Sequence, residues 1–497
     1  MANERWSRRQ FLRRSAAVLG LTGAALGGLV WAQPGRAGLP MGGLAVPRPT
    51  RRRMAIPGWA GAWAEVRKFP FPYKAMVAIT SDIDGTSLEE FERIHRFLNT
   101  REMTEKGPGL GLDIGDSFWM FVDTDWDGAI DVEGHPLREQ MAYWRSPTDR
   151  RPFQAAAIAK YIRCGWIDSI HSWGDFNKQQ PDAPGAATFR REMAEAAVAE
   201  LTREKLHVQV WIDHGNKANV QSFAGSSSWL QAYQAGDRPG LPYYHTDLTI
   251  PYGIRFGWGA TASAWEYEPG GESLLRPLTL RDGRRIWNFT RYSCNGPRWQ
   301  QDFRFIWNPY FLHEQLRAEN RRRWKAEGWY CAVAQHLGGP NELYFPFLDE
   351  AVAALRELAE EQAAGEILVA RTSRLLNYNL AEQFVVFEVR ERGPGQLWAQ
   401  DQAQTQAQRR DQAVTTPGRY VLNILRIDDP HLGTFVPAID AVRGMTFYVP
   451  DPAHFDLAIG GQLVPAEEIM RNQADHTGRP SIGVRWFEPD LYDYTRR

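Results

Sequence analysis

Cysteine is nearly absent: Cys164, Cys294 and Cys331 are the only three in 497 residues, and none stands in a C-x-x-C spacing. At most one disulfide can form, and no all-cysteine metal site can be built, so the three read as small buried hydrophobes. Net charge is equally scant at −1, which offers no basic excess for a nucleic-acid partner. The one local concentration of charge is at the start, where Arg5, Arg8, Arg9, Arg13 and Arg14 face only Glu4 and leave a mildly acidic remainder. Long apolar runs are also missing. The stretch nearest to a membrane span, "AAVLGLTGAALGGLVWA" (16–32), is short and diluted by Gly and Ala, too soft to stay in a bilayer.

That stretch follows "SRRQFLRRS" (7–15), and together they resemble a twin-arginine export signal, with Arg8–Arg9 followed by Phe11 and Leu12. The resemblance implies a bacterial, periplasmic or secreted protein handled by the twin-arginine machinery, cleaved near Ala32 or Ala37 and left with no stable membrane span. Export of a folded chain also suits a protein whose metal is loaded in the cytoplasm. Residues 1–32 are expected to be the signal peptide and 33–66, rich in Pro, Gly and Arg, a linker.

From about residue 74 the texture alternates. Apolar stretches such as "AMVAITS", "DSFWMFVD", "WIDSIHSW", "HVQVWIDH" and "WYCAVAQHL" are separated by amphipathic ones such as "SLEEFERIHRFLNT" and "LDEAVAALRELAEEQAAG". Strands alternating with helices indicate an α/β fold of βα units around a parallel sheet. About seven such units predict a (β/α) barrel over 67–380, incomplete beside the usual eight. After Tyr378 short strands and turns prevail ("QFVVFEVRERG", "GRYVLNILRI", "SIGVRWFEP"), which predicts a C-terminal all-β sandwich over 381–497.

Ligands of parallel βα folds gather at the carboxyl ends of strands, so residues there carry the functional reading. Asp82 and Asp84 end the first strand in "SDIDGTS"; Asp123 and Asp125 end the second in "FVDTDWDG". His171 and Asp175 follow in "IHSWGDF", Asp213 and His214 in "WIDHGN", and His336 in "AQHLGG". Unpaired acids at one rim repel unless a cation or a reaction uses them. Asp123, Asp125 and Asp127 also match the opening of a calcium loop, but position 12 is Gly134, so a solvated acidic turn is the preferred reading. Trp is abundant, at 20. Trp119, Trp173, Trp211 and Trp258, near strand ends, are candidates for stacking on sugar rings or for core packing.

"SDIDGTS" on its own resembles the first motif of the haloacid-dehalogenase-type phosphatases, in which Asp82 would attack phosphorus and Asp84 would act as acid and base beside magnesium. That match covers six residues, and the later lysine and acidic motifs are not found in order. Set beside "HSWGD", "AQHLGG" and "GEILVARTSRLLNY", the same residues resemble the polysaccharide deacetylase (NodB-homology) superfamily, with degenerate motifs over 74 to about 380. The resemblance implies Asp82 as base, Asp84 and His171 as metal ligands, and Asp175 standing where the family has a second His. It further implies His336 as the residue that protonates the leaving group.

The expected chemistry is metal-dependent hydrolysis of an N- or O-acyl group on a carbohydrate, with zinc, or else manganese or cobalt, at Asp84, His171 and Asp175. His214 or Asp213 is the alternative to Asp175 as ligand. Trp173, Asp213, His214 and Asn216 are otherwise expected to face the substrate. A metal-free glycoside hydrolase or glycan-binding barrel, using paired carboxylates, is a third reading. Oligomeric state is left open.

Overall fold

Strand Ala75–Ser81 shows why the parallel region forms. Its alternate residues serve two apolar surfaces: Met76 and Ala78 join one core cluster, while Ala75, Val77 and Ile79 join another with Phe97, Leu98, Leu355 and Leu358. The latter four come from helices Leu88–Asn99 and Asp349–Ala363, which cover the strand from outside. The computed structural model describes residues 53–122, 140–176, 189–215, 217–225, 228–259, 267–296, 301–338, 346–392 and 420–496. The expected signal peptide, the acidic turn at Asp123, Asp125 and Asp127, and Asn216 therefore lie outside the described residues.

Ala75–Ser81 pairs in parallel with Tyr330–Gln335 on one side and Ile367–Val369 on the other. A second sheet holds Ser169–His171, Val210–Ile212, Phe256–Trp258 and Arg285–Phe289 in parallel, edged by antiparallel Leu275–Thr279. Tyr292 joins the two sheets, donating to Ala332 O (2.7 Å) and accepting from Ala334 N (3.1 Å). At the opposite flank Asp116 bridges to Ile167 in parallel and His171 N donates to Phe118 O (3.1 Å). Ile83 N then reaches Ser117 Oγ (3.0 Å), which ties the residues just past the first strand to the start of the second segment. The final parallel strand, Ile367–Val369, lies on the far side of the first strand from Tyr330–Gln335, not next in sequence order.

The C-terminal strands form two sheets. One contains Val385–Glu391, Tyr420–Asp429, Phe455–Ile459 and Gln462–Leu463, with Gly433–Phe435 on its side. The other contains Thr446–Tyr448, Ser481–Val484 and Ile469–Asn472, together with Arg53–Ala55 and Trp63–Arg67. Phe387 of the first sheet and Phe447 of the second lie with ring centroids 4.8 Å apart, within one core cluster that both sheets share. The stretch expected to be a linker is thus sheet from Arg53 onward: Ala64 and Val66 are apolar at alternate positions and bury, and buried Arg67 pairs with Asp475 at 2.8 Å. Helix Thr372–Phe384 welds this region to the parallel strands, since Leu375, Leu376, Leu380 and Phe384 join the same cluster as Met76, Phe256 and Trp287.

Cys294 and Cys331 are buried, Cys164 half-buried, and all three are free. Among the described residues no helix is long and apolar enough to cross a membrane.

Candidate metal centre

The polar mouth arises because apolar strands stop abruptly at the same level. Asp82 N extends the first ladder by one bond, to Gln335 O at 2.8 Å. Gly85 then turns the chain with φ of +65°, a left-handed conformation that a Cβ resists. Ser87 Oγ accepts from Glu90 N (3.2 Å) and starts helix Leu88–Asn99, so the Asp-x-Asp segment is pinned between a strand end and a helix cap.

Three side chains converge there. His171 Nε2 lies 2.8 Å from Asp84 Oδ2, and His214 Nδ1 lies 3.0 Å from Asp84 Oδ1 and 3.2 Å from His171 Nε2. All three residues are buried. His171 Nδ1 stands 3.2 Å from Ile212 O, and because a carbonyl only accepts, Nδ1 carries the proton. Its Nε2 is thereby turned toward Asp84 Oδ2, a buried oxygen. Two imidazole nitrogens and a carboxylate gathered in one buried mouth are a donor set that suits a divalent cation. Asp84, His171 and His214 thus form a group that can hold a metal ion. Burial acts to raise the Asp84 carboxyl, but the facing His171 and His214 outweigh it and hold that group well below the usual carboxylate range.

Ser172 fixes the two histidines side by side. It takes a φ of +53°, rare for a residue with a side chain, which costs about 1–3 kcal/mol and persists only where surrounding bonds impose it. Its N donates to Ile212 O (2.7 Å) and its Oγ accepts from His214 N (3.0 Å).

A second group flanks the first. Arg291 grips Asp82 with two bonds, Nη1 to Oδ1 at 2.6 Å and Nη2 to Oδ2 at 2.9 Å. Its guanidinium lies 3.6 Å from the Trp258 ring centroid, so one face is engaged by the indole and one edge by the carboxylate. Burial would raise the Asp82 carboxyl; Arg291, helped by His171 and His336, holds it far below its ordinary value. His336 Nε2 lies 3.6 Å from Asp82 Oδ2 and 4.0 Å from Asp84 Oδ2, and with 21% of its side chain exposed it is the most open of these groups. Asp82, Asp84 and His336 also meet the distance requirement for a metal group, but Arg291 already neutralises Asp82.

The sequence-predicted residues divide accordingly. Asp82, Asp84, His171 and His336 stand together. Asp175, expected as a ligand, is not part of the group: its Oδ1 lies 3.8 Å behind His214 Nε2, and its Oδ2 accepts from Gln140 Nε2 (3.1 Å). His214, expected to face substrate or to stand in for Asp175 as ligand, joins Asp84 and His171 in the group because Ser172 draws its backbone in beside His171. Asp213 points into the protein, its carboxylate accepting from Trp211 Nε1, Phe223 N, Ala224 N and Gln234 Nε2. Trp173 is fully buried and donates from Nε1 to His245 Nδ1 (3.3 Å), and Trp119 and Trp211 are buried too, so packing claims these rings. Trp258 alone of the four is half-buried. Arg291 and Gln140 were missed by the sequence reading; a lone Arg in "TRYS" and a lone Gln have no spacing that marks them.

No protein-family model, no curated protein and no solved structure matches this chain.

Proposed function

We propose that the protein is an exported metal-dependent hydrolase that removes N- or O-acyl groups from carbohydrates, built as a deacetylase-like barrel with a sandwich domain behind it. One observation carries this reading: a two-histidine, one-carboxylate group lies beside an arginine-clamped carboxylate and a partly open imidazole. Zinc suits that donor set best, with manganese or cobalt as alternatives. A divalent ion held by Asp84, His171 and His214 supplies Lewis acidity toward a carbonyl oxygen and lowers the pKa of water.

The chain's own groups supply the rest. Asp82, kept ionised by Arg291, accepts a proton from the attacking water at its carboxylate edge. The arginine clamp fixes the direction of that edge, at the cost of some basicity. His336, the open member, hands a proton from Nε2 to the departing amine or alkoxide. The buried mouth excludes bulk water and so strengthens each of these charges. The aspartate-nucleophile alternative has less behind it, because the later lysine and acidic motifs of that family are not found in order.

The test is elemental analysis of the purified protein, followed by hydrolysis of a chromogenic acetyl ester and of acetylated chito-oligosaccharides. The expected result is one equivalent of ion, activity lost to a chelator and restored by zinc. A chain that carries no ion after zinc loading refutes the reading.

A further inference from the structure

We infer that Gln140 is the positioning residue of the metal centre, one amide that braces all three ligand-bearing segments at once. This rests on the metal reading above and names a residue outside the ligand set. Gln140 is buried, with 1% of its surface exposed. Its Oε1 accepts from Gly85 N (3.2 Å) and from Trp119 Nε1 (3.1 Å), and its Nε2 donates to Asp175 Oδ2 (3.1 Å). Two donors face the oxygen and one acceptor faces the nitrogen, so the amide has a single orientation that satisfies its surroundings.

Each partner supports a different ligand. Gly85 follows Asp84 directly and sets the turn that aims its carboxylate. The Trp119 ring stacks on His171 with centroids 4.4 Å apart at 26°, and meets His214 edge-on at 5.2 Å. Asp175 Oδ1 stands 3.8 Å from the Nε2 side of His214, whose Nδ1 faces Asp84. Loss of the Gln140 amide would release the turn, the stacking ring and the carboxylate together. Such outer partners of a metal site alter affinity ten- to hundredfold when removed.

The experiment compares the intact chain with Gln140→Leu, which removes every bond at similar volume, and Gln140→Glu, which keeps an acceptor for Gly85 and Trp119 but sets an oxygen against Asp175. Asp175→Asn keeps the same shape without the charge and stands in should Gln140→Leu not fold. Zinc affinity is measured by competition with a chromogenic chelator, and the visible absorption of the cobalt-loaded protein reports ligand geometry. The expected result is a ten- to hundredfold weaker affinity and an altered cobalt band in Gln140→Leu, with Gln140→Glu and Asp175→Asn weakened in the same direction. Metal-free melting curves separate this from general loss of stability. Wild-type affinity and an unchanged cobalt band in the folded variants overturn the inference while leaving the metal reading intact. A wild-type chain that binds no zinc or cobalt overturns the metal reading itself.

Discussion

Asp84 Oδ2 and His171 Nε2 stand 2.8 Å apart, with the Nδ1 side of the same ring turned to Ile212 O. With His214 Nδ1 at 3.0 Å from the other oxygen, the buried carboxylate and two imidazole nitrogens offer three ligand atoms to one ion. Asp84→Asn and His171→Ala are therefore expected to fall well below one bound ion per chain after zinc loading. Asp175→Asn is expected to keep an ion bound with weaker affinity, since Asp175 stands behind His214 and outside the group. Inductively coupled plasma mass spectrometry of the dialysed variants checks both statements.

Arg291 and Asp82 form the second prediction. Removing one partner of a buried ion pair leaves an uncompensated charge, which costs about 3–5 kcal/mol. Arg291→Met should lose stability of that order in urea unfolding, and Asp82→Asn combined with it should recover part of the loss. The guanidinium is the main charge holding the Asp82 carboxyl down, so its removal should move the acid limb of the activity profile to higher pH. Stability and an acid limb both unchanged in Arg291→Met would argue that the pair plays no part.

His336 is expected to act in proton transfer alone. His336→Gln should lower kcat by about 10²- to 10⁴-fold with little change in KM. Its metal content should stay at the wild-type level, because the proposed ion would be held by Asp84, His171 and His214. A variant that loses metal in step with activity would instead place His336 among the ligands.

Much of the candidate site was legible because strand ends are marked twice, by an apolar run and by the polar residue that breaks it. Asp82, Asp84, His171 and His336 were found that way, and the structure brings them together. The place of His214 rather than Asp175 beside Asp84 and His171 was not legible, since it depends on the backbone turn at Ser172, and a φ of +53° leaves no trace in a Ser. Asp213 shows the same limit from the other side. It ends a strand like the others, but its carboxylate takes four N–H donors inward, from Trp211, Phe223, Ala224 and Gln234. Apolar-polar alternation told strand from helix along most of the chain. It did not tell that Trp63–Arg67 would cross to a sheet built from residues almost four hundred positions later. That pairing is non-local and rests on packing, to which short sequence patterns are blind.

Asp168 supplies a test of stability independent of the mouth. Its Oδ2 accepts from Ser373 N (2.7 Å), while its Oδ1 is buried without a hydrogen-bond partner. Gly115 permits this crowding, for a Cβ there would lie 2.6 Å from Asp168 Oδ1. Burial pushes the Asp168 carboxyl up to about 6, above the roughly 3.9 of an unfolded chain. Between those values the folded protein holds a proton that the unfolded chain has released. The stabilisation is therefore fully present below about pH 4 and is lost as pH rises through about 6, a change on the order of 3 kcal/mol. Asp213, also raised by burial to about 6, acts in the same direction. Asp82 and Asp84 act in the opposite one: their depressed carboxyls stabilise above about pH 4 and lose that contribution only at lower pH. Asp168→Asn should accordingly flatten part of the decline in urea midpoint between pH 4 and pH 6 and leave the acid side unchanged. A slope identical to wild type across that window would mean that Asp168 is ionised in the fold and that its orphaned oxygen has found a donor.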